Sequence, residues 1–284
     1  MKQFRLIEQL TGPIREIRFP DGQFHFETNF NKKDSNYIQD PFAEIVARLA
    51  TPSDIVRLTT FLHFLHFHGI REVDLKLGYV YGGRTDRTIN GGVVIPNVVA
   101  SLIQSTPMII GKTYLFDPHS DVTAACFPNA EVFSNEDLVA GHIKLHGYDK
   151  DVTILIAPDQ GAMKKTASIA KNLGIRSTFT SKERNLNDGS LSGFSLPFPA
   201  ALNRMCNVII VDDICDGGGT FVGVADIIHQ FSNATVDLVV SHGIFSKGLE
   251  IYGINEITTT NSFQEFSLWG IEHFTVFDFK EFLQ

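Results

Sequence analysis

The sequence predicts an α/β protein with two doubly wound parallel-sheet domains, and two observations carry that prediction. The first is a run of β-branched apolar residues at 207–211, which passes through a glycine turn into an apolar-periodic segment at 221–231. Such a run is typical of a parallel strand covered on both faces, and the periodic segment favours a helix. The second is that strand patterns at 73–80 and 113–119 come first in the chain and that the pattern restarts near residue 148, which indicates a second sheet.

The composition is that of a globular protein with an acidic balance. The 284 residues are 43% hydrophobic and 20% charged, with a formal net charge of −8. The negative charge, with no segment rich in both basic and aromatic residues, argues against a nucleic-acid partner. No apolar run approaches the ~18 residues of a membrane span, and the first residues lack a signal-peptide core. We therefore expect no membrane partner and a cytoplasmic location.

An acidic stretch and a glycine turn follow the strand at 207–211. Their residues are Asp212, Asp213, Asp216, Gly217, Gly218, Gly219 and Thr220. Glycines let backbone N–H groups approach an anion, and a following helix adds partial positive charge. Carboxylates beside such a cradle suit a ligand that also carries hydroxyls or arrives with Mg²⁺. A sugar phosphate meets both needs, and an ordinary turn with a solvated acidic edge is the alternative.

This order, Val-Asp-Asp-x-x-Asp-x-Gly-Gly-Thr, resembles the ribose-phosphate fingerprint of two protein groups. They are the type I phosphoribosyltransferases and the ribose-phosphate diphosphokinases. The resemblance implies a phosphoribosyltransferase-like fold and assigns the seven residues to ribose-phosphate binding. The fingerprint alone does not separate the two groups.

Segments in the first half of the chain resemble the nucleotide-binding segments of the diphosphokinases. Residues 81–87, Tyr-Gly-Gly-Arg-Thr-Asp-Arg, are similar to the family's Tyr-x-Arg-Gln-Asp-Arg/Lys and imply ATP contacts by Arg84, Asp86 and Arg87. Guanidinium groups on a glycine-rich loop suit a triphosphate. The alternative is a surface loop with a solvated charge pair.

Two further segments extend the resemblance on the ATP side. Phe-Pro-Asp-Gly-Gln at 19–23 is similar to a family loop that reaches a neighbouring subunit's adenine pocket, which implies adenine contact by Asp21 or Gln23. Asp-Pro-His at 117–119 is similar to the family's Asp-Leu-His, which implies that His119 binds Mg·ATP. Seen alone, this histidine is more often structural.

The second half of the chain adds a metal candidate and a catalytic pair. Pro-Asp-x-Gly at 158–161 resembles a family motif and implies that Asp159 is a second Mg²⁺ ligand or a ribose contact; a helix cap is the alternative. Lys182 and Arg184, before the polar loop at 187–190, resemble the family's catalytic Lys-x-Arg segment. Two cations on a lid suit diphosphoryl transfer, and a solvated charge run is the alternative.

Together these segments imply a Mg²⁺-dependent transfer of the β,γ-diphosphate of ATP to the anomeric hydroxyl of a ribose 5-phosphate unit, which releases AMP. The acceptor is either ribose 5-phosphate, giving PRPP, or ADP-ribose, giving ADP-ribose 1-pyrophosphate for NAD rebuilding. Gly217 stands where the family has Thr, Thr85 where it has Gln, and Gln23 where it has Glu. A phosphoribosyltransferase and an inactive regulatory homologue are the other classes, and the retained Lys182 and Arg184 argue against the second.

For the architecture we expect an ATP-side domain at 1–145 and a ribose-phosphate-side domain at 146–284, whose last residues are free to pack back on the first. The patterns predict a helix over 41–69 with a cap at Ser53, and a helix over 161–173 that ends at Gly174. The family's shared adenine pocket implies a homo-oligomer, a dimer or a hexamer.

Overall fold

In the computed structural model the chain forms two compact units. The first comprises Met1–Ser134 and Phe279–Gln284, and the second comprises Asn135–Asp278. The structure describes residues 2–6, 10, 14–28, 40–88, 90–184, 191–267 and 271–284. No helix in these ranges combines the length and apolar character that a membrane crossing requires.

The first unit is built on a five-stranded parallel sheet in the order β1-β4-β5-β6-β7. In chain order its elements are β1 (Lys2–Arg5), β2 (Ile14–Arg18), β3 (Phe24–Thr28), β4 (Phe42–Leu49), α1 (Pro52–Phe67), β5 (Glu72–Val80), α2 (Ile95–Gln104), β6 (Ile109–Phe116), α3 (Asp121–Ala125) and β7 (Ala130–Phe133). Strands β2 and β3 form a separate antiparallel hairpin. The hairpin packs onto α1, where the ring centroids of Phe26 and Phe61 lie 4.9 Å apart.

The helix predicted over 41–69 is wrong in its first part, which forms β4. A short apolar run does not distinguish a buried strand from a buried helix, and β4 is buried along most of its length. The predicted cap at Ser53 is also wrong. Thr51 caps α1: its hydroxyl accepts from the Asp54 N–H at 3.3 Å, and the Asp54 carboxylate accepts from the Thr51 N–H at 2.7 Å.

The last residues of the chain belong to the core of the first unit. Phe279 and Leu283 are almost fully buried there and pack against Val46 of β4 and Phe116 of β6. The ring of Phe282 stacks on Phe116 with centroids 5.6 Å apart. Residues from the first half of the sequence and from its last six positions therefore share one apolar cluster.

The second unit is built on a six-stranded parallel sheet in the order β15-β14-β13-β12-β8-β9. In chain order its elements are α4 (Glu136–His146), β8 (Thr153–Ala157), α5 (Gln160–Leu173), β9 (Arg176–Phe179), β10 (Ser181–Arg184), β11 (Leu191–Ser195), β12 (Asn207–Cys215), α6 (Gly219–His229), β13 (Thr235–Gly243), β14 (Ile257–Thr260) and β15 (Phe274–Phe277). Strands β10 and β11 pair as an antiparallel hairpin. Two parallel sheets with helices confirm the predicted α/β class.

The division between the units falls after Ser134 rather than after residue 145, because α4 is tied to the second sheet. His142 of α4 is fully buried. Its Nε2 lies 3.0 Å from Oδ2 of Asp237 on β13, and its Nδ1 lies 2.8 Å from the Thr258 hydroxyl on β14. A buried imidazole needs such partners, so the helix is fixed where they are.

Strand β12 runs further than the sequence predicted. Its pairing with β8 stops at Ile210, whereas its pairing with β13 continues to Cys215. The acidic residues at 212 and 213 therefore lie on the strand itself, past the end of β8. The helix that follows begins at Gly219 instead of residue 221, directly after Gly218 in the left-handed conformation at φ +75°.

Candidate active site

The carboxyl end of β12 carries two adjacent carboxyl groups. Oδ1 of Asp212 accepts from the Asp213 N–H at 2.9 Å, and the two side chains are hydrogen-bonded to each other. Burial and the charge of Asp213 raise the pKa of Asp212 well above its ordinary value, and Lys165 on α5 opposes that shift. The pair therefore retains a proton where isolated carboxyl groups have lost theirs. It is able to accept hydrogen bonds from hydroxyls, and it loses the shared proton to solvent when a cation binds beside it.

Asn135 fixes the backbone of this stretch. The Asn135 side chain is fully buried, and its Nδ2 donates to the carbonyl of Asp212 at 3.0 Å. That carbonyl lies beyond the last pair of the β12–β8 ladder, so a side chain supplies the hydrogen bond at this point. The start of the second unit thus helps to position the acidic pair.

The glycine turn after β12 is a tight connection into α6. The carbonyl of Gly218 accepts from the N–H groups of Phe221 and Val222 at 2.9 and 3.1 Å. A side chain at residue 218 would require a positive φ and would come within 3.3 Å of Ile251. The first N–H groups of a helix have no partner within it, so α6 directs donors and partial positive charge toward this turn. The turn is suited to an oxyanion.

The loop after β13 is bonded to the end of β12. The Ser246 hydroxyl donates to Oδ1 of Asp216 at 2.6 Å.

Burial and the charges of Asp212 and Asp216 raise the pKa of the Cys215 thiol to about 12. The thiol therefore stays protonated near neutral pH, and Cys215 acts as an apolar core residue rather than as a nucleophile.

Lys182 and Arg184 lie on β10, the first strand of the β10–β11 hairpin. Lys182 is paired with Phe194 in the register, and the structure describes the backbone of this strand. The ring of Phe194 rests on Gly223 of α6, where any added Cβ would overlap it. The hairpin is thereby fixed to the helix that begins at the glycine turn. The predicted polar loop at 187–190 lies outside the described residues.

In the first unit, the loop after β5 and the end of β6 meet at neighbouring strand ends. Gly82 has φ +77°, and its carbonyl accepts from the Thr85 hydroxyl at 2.7 Å. A Cβ at Gly83 would lie 3.7 Å from Cβ of His119. His119 and the loop that carries Arg84 are therefore neighbours, as expected for adjacent parallel strands.

The exposed residues of this loop include both arginines. Arg84, Arg87 and His119 are exposed, whereas Asp86 is buried at 8% exposure. Nε of Arg87 lies 3.9 Å from Oδ1 of Asp86, and the arginine side chain is 81% exposed. The loop therefore exposes its arginine side chains to solvent, while the carboxylate of Asp86 is buried beneath them. Exposed guanidinium groups are suited to binding a polyphosphate.

Asp21 and Gln23 lie apart from that loop in the secondary structure, at the turn of the β2–β3 hairpin. Oδ1 of Asp21 accepts from the Gln23 N–H at 3.1 Å, and both residues are exposed. The carboxylate thus stabilises the turn that the sequence predicted. The predicted adenine contact of these two residues stays a prediction.

Asp159 lies two residues past the end of β8, the strand beside β12. Its Oδ1 accepts from the N–H groups of Gly161 and Ala162 at 2.9 and 3.2 Å, which makes it the N-cap of α5. The alternative that the sequence left open for this residue, a helix cap, is thus present. Its role as a metal ligand stays a prediction.

The chain is similar to known proteins along most of its length. Residues 130–268 match the model of the phosphoribosyl transferase domain. The chain is 26% identical over 255 residues to the ribose-phosphate pyrophosphokinase of Pyrococcus abyssi, an alignment that covers 86% of this chain and 82% of the relative. It is 28% identical over 271 residues to that of Mycoplasmopsis pulmonis, with 90% and 78% covered.

The proteins that this chain resembles along most of its length are thus ribose-phosphate pyrophosphokinases. The predicted family and the predicted enzyme class, a transferase of this type, are confirmed. The fold agrees, because the crystal structure of phosphoribosylpyrophosphate synthetase from Mycobacterium smegmatis superimposes with a TM-score of 0.74. That likeness covers 93% of this chain and 85% of the other at 18% identity, and it confirms the phosphoribosyltransferase-like fold.

The sequence analysis missed several residues that shape the candidate site. Asn135 and Ser246 bond to the acidic stretch from distant parts of the chain. Lys165 on α5 acts on the charge of Asp212. The Pro-Asp-x-Gly motif was a usable signal for Lys165, because it precedes a helix that starts at the same sheet edge. Asn135 had no comparable local signal.

Proposed function

We propose that this protein is a Mg²⁺-dependent diphosphokinase that transfers the β,γ-diphosphate of ATP to the 1-OH of a ribose 5-phosphate unit and releases AMP. The observation that carries the proposal is the continuous stretch at the end of β12, where a coupled carboxyl pair leads directly into a glycine turn and a helix N-terminus. A hydroxyl acceptor and an anion cradle in one stretch match a sugar phosphate. The similarity to ribose-phosphate pyrophosphokinases supports the same substrate class.

On the acceptor side, the N–H groups of the turn and the Thr220 hydroxyl bind the 5-phosphate. Asp212 and Asp213 accept hydrogen bonds from the ribose hydroxyls, and the raised pKa of Asp212 keeps the pair from repelling the anionic substrate. The hydrogen bond from Ser246 holds Asp216 in place beside the cradle. This arrangement orients the 1-OH for attack.

On the donor side, Arg84, Arg87 and His119 bind the phosphates of Mg·ATP. A bond forms between the acceptor oxygen and the β-phosphorus, and the 1-OH proton is released to solvent. The bond from that phosphorus to the α,β-bridging oxygen breaks, and AMP departs with that oxygen. Lys182 and Arg184 neutralise the charge on the migrating diphosphate. Catalysis of this kind consists mainly of positioning and charge stabilisation.

Mg²⁺ enters with ATP in this proposal. In nucleotide sites Mg²⁺ is held by substrate phosphates together with one or two protein side chains. His119, exposed three residues after β6, and Asp159, two residues after β8, are each proposed as a side-chain ligand. When bound there, Mg²⁺ would neutralise part of the phosphate charge.

The acceptor is either ribose 5-phosphate or ADP-ribose. The names of the relatives favour ribose 5-phosphate. Gly217 favours ADP-ribose, because it lacks the Thr side chain of the family fingerprint and so presents a different surface to the 5-phosphate. The predicted homo-oligomer, a dimer or a hexamer, and the cytoplasmic location stay predictions.

The deciding experiment incubates the enzyme with Mg·ATP and each acceptor in turn, and measures AMP release and product mass. Release of AMP with one acceptor, and a product heavier by a diphosphate, would identify the substrate. Inactivity with both acceptors would contradict the proposal. A parallel reaction with PRPP and free nucleobases tests the phosphoribosyltransferase alternative, which predicts pyrophosphate release without ATP.

A further inference from the structure

The loop after β13, residues 244–251, covers the first two glycines of the cradle. Its backbone is bonded to the end of β12, because the carbonyl of Cys215 accepts from the N–H groups of Ile244 and Phe245 at 2.8 and 3.2 Å. Phe245 adopts a positive φ of 47°, and its carbonyl accepts from the Gly248 N–H at 3.0 Å. The loop is therefore a defined turn held against the acidic stretch.

Lys247 is the residue of this loop that lies over Gly217. A Cβ built on Gly217 would be 3.3 Å from both Cδ and Cε of Lys247. These contacts are tighter than ordinary, so a side chain at residue 217 would force the lysine to move. Gly217 thus gives Lys247 its position, and the lysine occupies the space where the family fingerprint has a threonine.

The local charge favours a cation at this point. Asp212, Asp213 and Asp216 lie within five positions of one another, next to a turn that is suited to an anion. An ammonium group beside the cradle offsets their repulsion of a phosphate and forms charge-assisted hydrogen bonds with its oxygens. Backbone N–H groups alone provide only partial charges.

We propose that Lys247 binds the 5-phosphate of the acceptor, and that Gly217 and Lys247 act as a pair that replaces the threonine of the family fingerprint by a cation. The inference rests on the proposed function, because it places the acceptor phosphate at the glycine turn. It adds a binding residue that lies outside the fingerprint, on the loop after β13. Specificity for the acceptor then depends on both the glycine turn after β12 and the loop after β13, instead of on the turn alone.

The test compares Lys247→Ala with Lys171→Ala, which removes an exposed lysine from α5 of the same unit. We expect Lys247→Ala to raise the KM for the acceptor about tenfold to a hundredfold, the effect of one lost charge-assisted hydrogen bond. The KM for ATP and kcat should change little, and Lys171→Ala should match the wild type. Lys247→Arg, which keeps the charge, should recover part of the loss.

A double-variant cycle tests the pairing. Gly217→Thr should raise the acceptor KM because it displaces Lys247. The double variant Gly217→Thr/Lys247→Ala should be no worse than Lys247→Ala alone, because both changes act on one contact. Additive losses would show that the two residues act separately and would overturn the pairing.

Binding measurements separate the two proposals. Calorimetric titration with ribose 5-phosphate, ADP-ribose and inorganic phosphate needs no turnover, so Lys247 is tested even in an enzyme that releases no AMP. Weaker binding by Lys247→Ala in an inactive protein would support the lysine while contradicting the diphosphokinase reaction. An unchanged acceptor KM and Kd in Lys247→Ala would overturn the inference and leave the proposed function intact.

Discussion

The two parallel sheets carry candidate sites of different construction. At the end of β12 the groups are held by hydrogen bonds, as in the bond from Asn135 to the Asp212 carbonyl and the bond from Ser246 to the Asp216 carboxylate. At the end of β5 the groups are long side chains on an exposed loop, and the Arg87 side chain is 81% exposed. The acceptor side is thus largely preformed, whereas the ATP side presents exposed cations.

This difference explains which substitutions each side tolerates. A turn that requires a positive φ at Gly218 and close approach to Ile251 accepts few residues. An arginine on an exposed loop reaches a phosphate from many backbone positions, and salt screens its charge. We expect changes on the acceptor side to act through geometry, and changes on the ATP side to act through charge.

The largest effect is expected from Lys182→Ala, because this residue is proposed to act on the migrating group. Loss of one transition-state donor lowers kcat by about a hundredfold to a thousandfold. ATP binding, measured by titration, should be nearly unchanged. Lys144→Ala, an exposed lysine on α4, is the matched control. Unchanged turnover in Lys182→Ala would refute its role.

The next effect is expected from Arg84→Ala on the ATP side. Loss of a charge-assisted contact should raise the KM for ATP by about tenfold to a hundredfold and leave the acceptor KM unchanged. Arg84→Lys should recover part of the affinity, since it keeps the charge and loses the fork. Steady-state kinetics at low and high ionic strength should show a steeper salt dependence for ATP than for the acceptor. Equal dependence would remove the contrast between the two sites.

A smaller effect is expected from Gly223→Ala on α6. The new methyl group would overlap the ring of Phe194 and shift the strand that pairs with Lys182. We expect kcat to fall about tenfold, less than the ~hundredfold that a misplacement of one ångström can cost. Gly141→Ala on α4 is the matched control, because its Cβ would lie 3.4 Å from the Phe277 ring, an ordinary contact.

In that control the helix gains up to about 1 kcal/mol of propensity, so stability should rise while kcat stays constant. Adding Phe194→Leu to Gly223→Ala should restore part of the activity by relieving the overlap. If both alanine variants keep full turnover, the contact between hairpin and helix has no part in positioning Lys182.

The smallest effect concerns stability and pH. Because the pKa of Asp212 is raised in the folded protein, the folded chain keeps a proton that the unfolded chain has released above the ordinary pKa of aspartate. The free energy of unfolding therefore falls as pH rises through that range. Asp212→Asn removes this cost, so its Tm should exceed that of the wild type by a few degrees at neutral pH.

In acid, below the ordinary pKa of aspartate, the difference in Tm should vanish, because both states then bind the proton. Turnover should be lost at every pH. Asp226→Asn, an exposed residue on α6, serves as the control in thermal melts. A lower Tm in Asp212→Asn at neutral pH would contradict the argument.

Much of the fold and part of the site were predictable because their causes are local. The run at 207–211, the glycine turn and Gly174 at the end of α5 each require particular residues at one place in the chain. Strand β4 was missed because its apolar run also fits a buried helix. Asn135 was missed because it bonds to a residue 77 positions later, and Ser246 because it bonds to one 30 positions earlier. Such contacts depend on the order of strands in the sheet, which no local pattern encodes.

The burial of Phe279 and Leu283 among first-unit residues has a consequence for biosynthesis. A ribosome makes the chain from its first residue, and domains commonly fold as they emerge. Here the apolar cluster around Val46 and Phe116 lacks two of its members until the whole second unit has been translated. The second unit, residues 135–278, is continuous in sequence, so it can reach its final packing before the first unit is closed.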